Sequence, residues 1–288
     1  MYYYLMKKTV IIYMFYLFFI SNSFIIKKPR LYINTNDPKQ FNEIKHITIT
    51  PGGIGGLYSL GVSCFIKDNY DLNTYSYLGA SAGAWISLVS AYKGNTTQMI
   101  FKLLKSHNLN HIESVNNLQY LFKDYILNHY DINDFNVEKI NICISEVTPF
   151  SIQPKVINNF IKLEELIDCC IVSSHIPYVT SNQFIKTYNN KITFDGGFTP
   201  FPPNDFYHHI MITPNMYNSE SLGSLILSLF KRDITKNSLL ELFKKGYNDA
   251  MNHKKELDII FIPEYGYLNV HDNDFEIIYQ RNLYLDSM

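Results

Sequence analysis

Gly79-Ala80-Ser81-Ala82-Gly83 sets a G-x-S-x-G sequence between an apolar run and a helix-like pattern of small residues. Few local structures accept that spacing. It suits a sharp turn from a strand into a helix, where a Cβ at either flank would strike the neighbouring backbone. Glycine therefore takes both flanking positions, Gly79 and Gly83. The turn is strained, and it lifts its central side chain clear of the sheet. A chain built around it is expected to run at least one strand directly into a packed helix.

Hydrophobic periodicity extends this expectation along the chain. Alternating or β-branched runs predict strands over 46–50, 74–78, 141–147, 192–194, 209–213 and 259–262. Helical spacing of apolar residues predicts helices over 57–66, 82–92, 96–106, 115–128, 162–173, 222–230 and 238–252. Strands alternating with helices imply an α/β sandwich with a mainly parallel sheet. A length of 288 residues and 47% hydrophobic content are enough for one sizeable core. Residues 45–215 read as that core, and 216–288 as C-terminal helices and a strand completing the same domain.

The first 44 residues read differently. Lys7 and Lys8 precede an apolar run over 9–20, then Ser21-Asn22-Ser23, and apolar character resumes at 24–26 before Lys27, Lys28 and Arg30. That order suits a signal peptide, and a run from 9 to 26 is nearly long enough for a membrane anchor. Residues 1–26 therefore suggest membrane association or entry to the secretory pathway, and a cytoplasmic protein if the segment is not functional. Residues 27–44 are polar, contain Pro29 and Pro38, and read as a linker.

Bulk electrostatics exclude some partners. A net charge of −1 offers no basic footprint for nucleic acid. Cys64, Cys143, Cys169 and Cys170 form no C-x-x-C pair, and no histidine cluster has metal-ligand spacing. Core packing is the reading for the adjacent Cys169 and Cys170.

The chemistry rests on three segments. Ser81 at the tip of the turn is a candidate nucleophile, but a serine hydroxyl needs a base. Asp195-Gly196-Gly197 follows a short strand, and the two glycines would let the Asp195 carboxylate approach the serine directly. A Ser-Asp-His order is also open, pairing Asp195 with His208 or His209, with His253 and His271 further downstream. The third segment, Pro51-Gly52-Gly53-Ile54-Gly55-Gly56, joins the first strand to a helix and exposes backbone amides at a helix N-terminus. It lacks the Gly-Lys-Ser/Thr ending of a phosphate loop and the G-x-G-x-x-G spacing of a dinucleotide site. An oxyanion hole is the remaining use with chemistry; a plain packing turn is the bland one.

Taken together and in this order, the three segments resemble the patatin-like phospholipase family. The stretches Leu57-Tyr58-Ser59-Leu60-Gly61-Val62 and Val172-Ser173-Ser174-His175-Ile176-Pro177 are similar to it as well. The resemblance spans roughly residues 45 to 215. It implies a patatin-like three-layer α/β/α sandwich and a lipid acyl hydrolase acting on phospholipid or other acyl-lipid esters at a membrane surface. It implies a Ser81–Asp195 dyad, an oxyanion hole from the amides of Gly52, Gly53 and Gly55, and no metal or cofactor. The chain departs from the family at Pro51, where a glycine is usual, and at Gly55, where an arginine or lysine is usual. Those departures keep open a catalytically weak or inactive lipid-binding protein on the same scaffold.

Overall fold

The computed structural model describes residues 45–105, 112, 114–203, 208–217 and 235–261. Their centre is a seven-stranded mixed sheet. Strand β1 (Lys45–Ile49) is flanked by β2 (Tyr75–Ala80) and β7 (His208–Ile212), both parallel to it. Strand β3 (Ile140–Val147) extends the parallel set on the far side of β2. Parallel strands need crossovers, and helices supply them: α1 (Gly56–Asn69) between β1 and β2, and α2 (Ala82–Ser90), α3 (Thr96–Lys105) and α4 (Val115–His129) between β2 and β3. The α/β class with parallel central strands expected from the periodicity is what forms.

The remaining strands are antiparallel. β4 (Ile152–Ile157) runs back along β3 and occupies one edge of it from Ile142 to Val147. β4 was not expected from the sequence, and its Pro154 explains why. Proline removes a ladder donor and is tolerated on an edge strand, which β4 is. After α5 (Leu163–Ser173), the hairpin β5 (Lys186–Tyr188) and β6 (Lys191–Phe194) joins β3 through Ser145 and Glu146.

That pairing decides where the site lies. Since β4 fills one edge of β3, β2 and β6 must share the other. β2 ends with Ala80 opposite Cys143, while β6 arrives from the opposite direction and ends with Phe194 opposite Ser145. The two strands meet head to head, two β3 residues apart, or roughly 7 Å at strand spacing. The residues that leave their ends are Ser81 and Asp195.

The described helices gather over one face of the sheet. Ile47, Ile49, Tyr77, Ile142, Ile210 and Ile212 lie on that face in register and join the main core. α1 is buried from Gly56 to Ile66, held between the sheet and α6 (Lys236–Asn252). On the other face, Leu78, Ala80 and Cys143 form a separate small cluster with Val156 and Phe201.

One expected strand is corrected. Residues 259–261 belong to helix α7 (Lys254–Phe261), not to a strand over 259–262. Leu257 and Phe261, four apart, are buried on one helical face, and the Phe261 ring stacks on Tyr70 at 4.9 Å. A four-residue apolar run fits either period, and the i, i+4 partner settles it. The expected segments 1–26 and 27–44 and the helix over 222–230 fall outside the described residues. Among the described residues, no helix is long and apolar enough to cross a membrane.

Candidate active site

The G-x-S-x-G segment forms the turn that its spacing requires. Ser81 sits between β2 and α2 with φ 57° and ψ −124°, a backbone region that a non-glycine residue enters only under constraint. A Cβ on Gly83 would overlap the Ile49 carbonyl, and one on Gly79 would overlap the Gly83 carbonyl. The two glycines let helix and strands close up around the serine. Ser81 becomes the residue preceding the first turn of α2, where unpaired amides and the helix dipole favour negative charge.

A second serine holds this turn in place. The Ser81 amide donates to Ser173 Oγ at 2.8 Å, and Ser173 Oγ donates to the Cys143 carbonyl at 2.7 Å. Ser173 is fully buried at the end of α5. It ties the turn to β3 through one hydroxyl. Nothing local in the sequence marks Ser173 for this role, which follows from tertiary contact alone.

Asp195 is fixed with equal care. Its amide donates to the His175 carbonyl at 2.9 Å, and its carbonyl accepts from Ser145 Oγ at 2.8 Å. Its Oδ1 accepts from the Gly197 amide at 2.7 Å. Oδ2 is buried away from any aligned donor. Burial pushes the carboxyl up to about 6, while the neighbouring Ser81 hydroxyl and the Gly197 amide pull it back by favouring the charged form. Ser81 is 6% exposed and Asp195 3% exposed, so the pair sits out of bulk water. The structure brings these two predicted residues together.

The course of β7 carries the backbone of His208 and His209 away from this pair. His208 and His209 open β7, whose other end, Ile212, lies beside Ile49 near the serine. Three to four residues of strand, roughly 10 to 13 Å, separate their backbone from that end. His253 follows α6 and stacks on Tyr217 at 4.1 Å. His271 lies outside the described residues. His175 accepts from the Asp195 amide through its backbone carbonyl, but its ring contacts Ser181 Oγ at 3.1 Å and the Phe184 carbonyl at 3.3 Å. Burial lowers its pKa to about 4, so it is neutral near pH 7.

Ser81 opens into a cavity of about 90 Å³ with an apolar wall. Leu57 and Leu60 of α1, Trp85, Ile86 and Val89 of α2, and Leu118 and Phe122 of α4 line it. Of the expected oxyanion residues, Gly53 lines the cavity with Ser81, and Gly52 and Gly55 do not. Gly53 has φ 53° and begins a 3-10 turn over Gly53–Gly55 that leads straight into α1. Ala82, the residue after the serine, lines the cavity too. It is the first residue of α2, where an amide has no intrahelical acceptor. Its place directly after the candidate nucleophile is the signal in the sequence that marks it.

Among the described residues, no group of three or more His, Cys, Asp or Glu side chains could hold a metal ion. All four cysteines are buried and free. Neither the protein-family models nor the curated proteins contain a match to this chain.

Proposed function

We propose that the chain is a lipid acyl hydrolase working through a Ser81–Asp195 dyad on a patatin-like α/β scaffold, of which the described residues form the sheet and the helical layer on one face. The observation that carries this reading is the head-to-head meeting of β2 and β6 on β3, which puts a strained serine beside a buried carboxyl. A carboxyl with a pKa of about 6 is a better proton acceptor than an ordinary aspartate, and it is still ionised at pH 7. Asp195 takes the Ser81 proton as Oγ attacks an ester carbonyl. The negative charge of the tetrahedral intermediate falls at the N-terminus of α2, with the amides of Gly53 and Ala82 as donors. Each such donor is worth about 3 kcal/mol of barrier. Asp195 gives the serine proton to the departing alcohol oxygen as the ester C–O bond breaks, leaving an acyl-Ser81. The regenerated carboxylate then takes a proton from water as the water oxygen attacks the acyl carbon, and returns it to Ser81 Oγ as the fatty acid leaves.

The substrate class follows from the wall. A cavity lined by leucine, isoleucine, valine and aromatic side chains beside the nucleophile favours a hydrocarbon chain on the acyl side. Phospholipid and related acyl-lipid esters combine such a chain with the scissile bond, and a membrane surface is where they are met. Gly55, where the family carries a cation, is not among the residues lining the cavity, whereas Gly53 is.

The test is mass-spectrometric profiling of a lipid mixture incubated with wild type and with Ser81→Ala. Release of fatty acid by wild type and none by the variant is expected. Equal release by both removes Ser81 as the nucleophile.

A further inference from the structure

The segment from Ser174 to Ile185 has two apolar sides. Inward, Ser174, Ile176 and Thr180 help line the cavity beside Ser81. Outward, Tyr178, Phe184 and Ile185 are 37%, 42% and 44% exposed. The Tyr178 and Phe184 rings lie 5.9 Å apart, so they form one patch. Tyr178 is held at φ 61°, a left-handed backbone that an aromatic residue rarely adopts. Large apolar side chains in a cluster on the outside of a cavity wall are not explained by core packing.

Neighbouring elements extend the patch. Tyr120, 39% exposed on α4, lies under the Lys186 ammonium at 5.8 Å. Ile192 of β6, 38% exposed, shares a strand face with Phe194, whose ring lies 6.4 Å from Phe184. On the far side of β3, Ile152 pairs with Val147, and Phe150 at the tip of that hairpin is 98% exposed. Lysines predominate on the loops and hairpins of this face, although Glu146 of β3 lies between β4 and β6 and Asp124 follows Tyr120 on α4. From 174 to 194 the chain holds Lys186 and Lys191 and no acidic residue; from 147 to 162 it holds Lys155 and Lys162 and no acidic residue.

We propose that this face, centred on Tyr178, Phe184 and Ile185, docks on an anionic lipid surface. Apolar side chains rimmed by lysines fit the boundary between acyl chains and anionic headgroups. The same loop is a wall of the cavity, so docking would set the cavity against the bilayer from which an acyl chain must come. The proposal rests on the lipid-hydrolase reading for its purpose but not for its test.

The direct test places a reporter on the patch. The full-length Phe184→Trp variant is mixed with vesicles of phosphatidylcholine and phosphatidylglycerol, with and without brominated acyl chains. Its fluorescence is compared with that of wild type, whose single tryptophan is Trp85 in the cavity wall. Bromine quenching of the introduced indole beyond the wild-type signal, reduced severalfold in Lys186→Gln/Lys191→Gln, is expected. No quenching beyond wild type overturns the proposal. So does an indole shielded without vesicles in a concentration-dependent dimer, which would assign the face to a second copy. A second arm uses Phe184→Ser/Ile185→Ser. Hydrolysis of vesicle phospholipid should fall about tenfold while hydrolysis of soluble p-nitrophenyl butyrate is unchanged. An equal fall on both substrates contradicts docking. A protein that hydrolyses neither ester, yet shows the quenching, loses the hydrolase reading and keeps the lipid surface.

Discussion

Asp195→Asn separates the chemical role of the buried carboxyl from its cost to the fold. Burial raises its pKa from the ordinary aspartate value of 3.8 to about 6. The folded state therefore binds this proton more tightly than the unfolded state does. Between pH 4 and 6 the folded chain carries more bound proton, so this group makes stability fall as pH rises, and the loss levels off above pH 6. Two units at 1.36 kcal/mol each put the loss at about 3 kcal/mol. Asparagine has nearly the same shape and keeps an oxygen to accept from the Gly197 amide. It carries no charge to desolvate. Thermal unfolding of both proteins from pH 4 to pH 8 is the assay. Relative to wild type, the variant should gain stability with rising pH, reaching a melting temperature roughly 5 to 10 °C higher at pH 8. Activity should be lost at the same time. A variant less stable than wild type at pH 8, or one with the wild-type pH slope, would refute the account of a desolvated carboxylate.

The pH dependence of kcat/KM on a soluble ester should rise with a midpoint near pH 6 as Asp195 ionises, and a midpoint near 4 would mean that the carboxyl is not desolvated. His208→Ala and His209→Ala should each retain activity, since both residues lie at the far end of β7; a dead variant that still folds would restore the Ser-Asp-His triad. Ser173→Ala strands the Ser81 amide and the Cys143 carbonyl, so it should cost about 1–3 kcal/mol in denaturant unfolding and lower kcat more than it raises KM. Val89→Trp should fill part of the cavity and shift the preferred acyl chain to shorter lengths in a p-nitrophenyl ester series. An unchanged chain-length profile would place the acyl group elsewhere.

Much of the site is legible because each part is a local backbone demand. Gly79 and Gly83 announce a turn that admits no Cβ, and Gly196-Gly197 after an apolar run announces a strand end. What the sequence does not carry is the relation between such parts. Nothing local shows that β2 and β6 abut on one edge of β3, because that depends on β4 filling the other. β4 itself is hidden by Pro154, which breaks its pattern but not its pairing at the edge. Ser173 is one of many serines until the fold sets its hydroxyl between the Ser81 amide and the Cys143 carbonyl. The choice between dyad and triad shows the same limit. His208 and His209 suit a triad by chain order, and only the direction of β7 removes them. The 259–262 run looks like a strand in isolation because its core-facing partner, Leu257, lies one helical turn upstream of Phe261.

The central claim is that Ser81 is an activated nucleophile and Asp195 its base. The most direct measurement is labelling of the full chain with a fluorophosphonate probe, followed by peptide mass spectrometry. The account predicts one phosphonylated residue, Ser81, modified rapidly in wild type and at least a hundredfold more slowly in Asp195→Asn. An unmodified Ser81, or equal labelling in the two proteins, would contradict it.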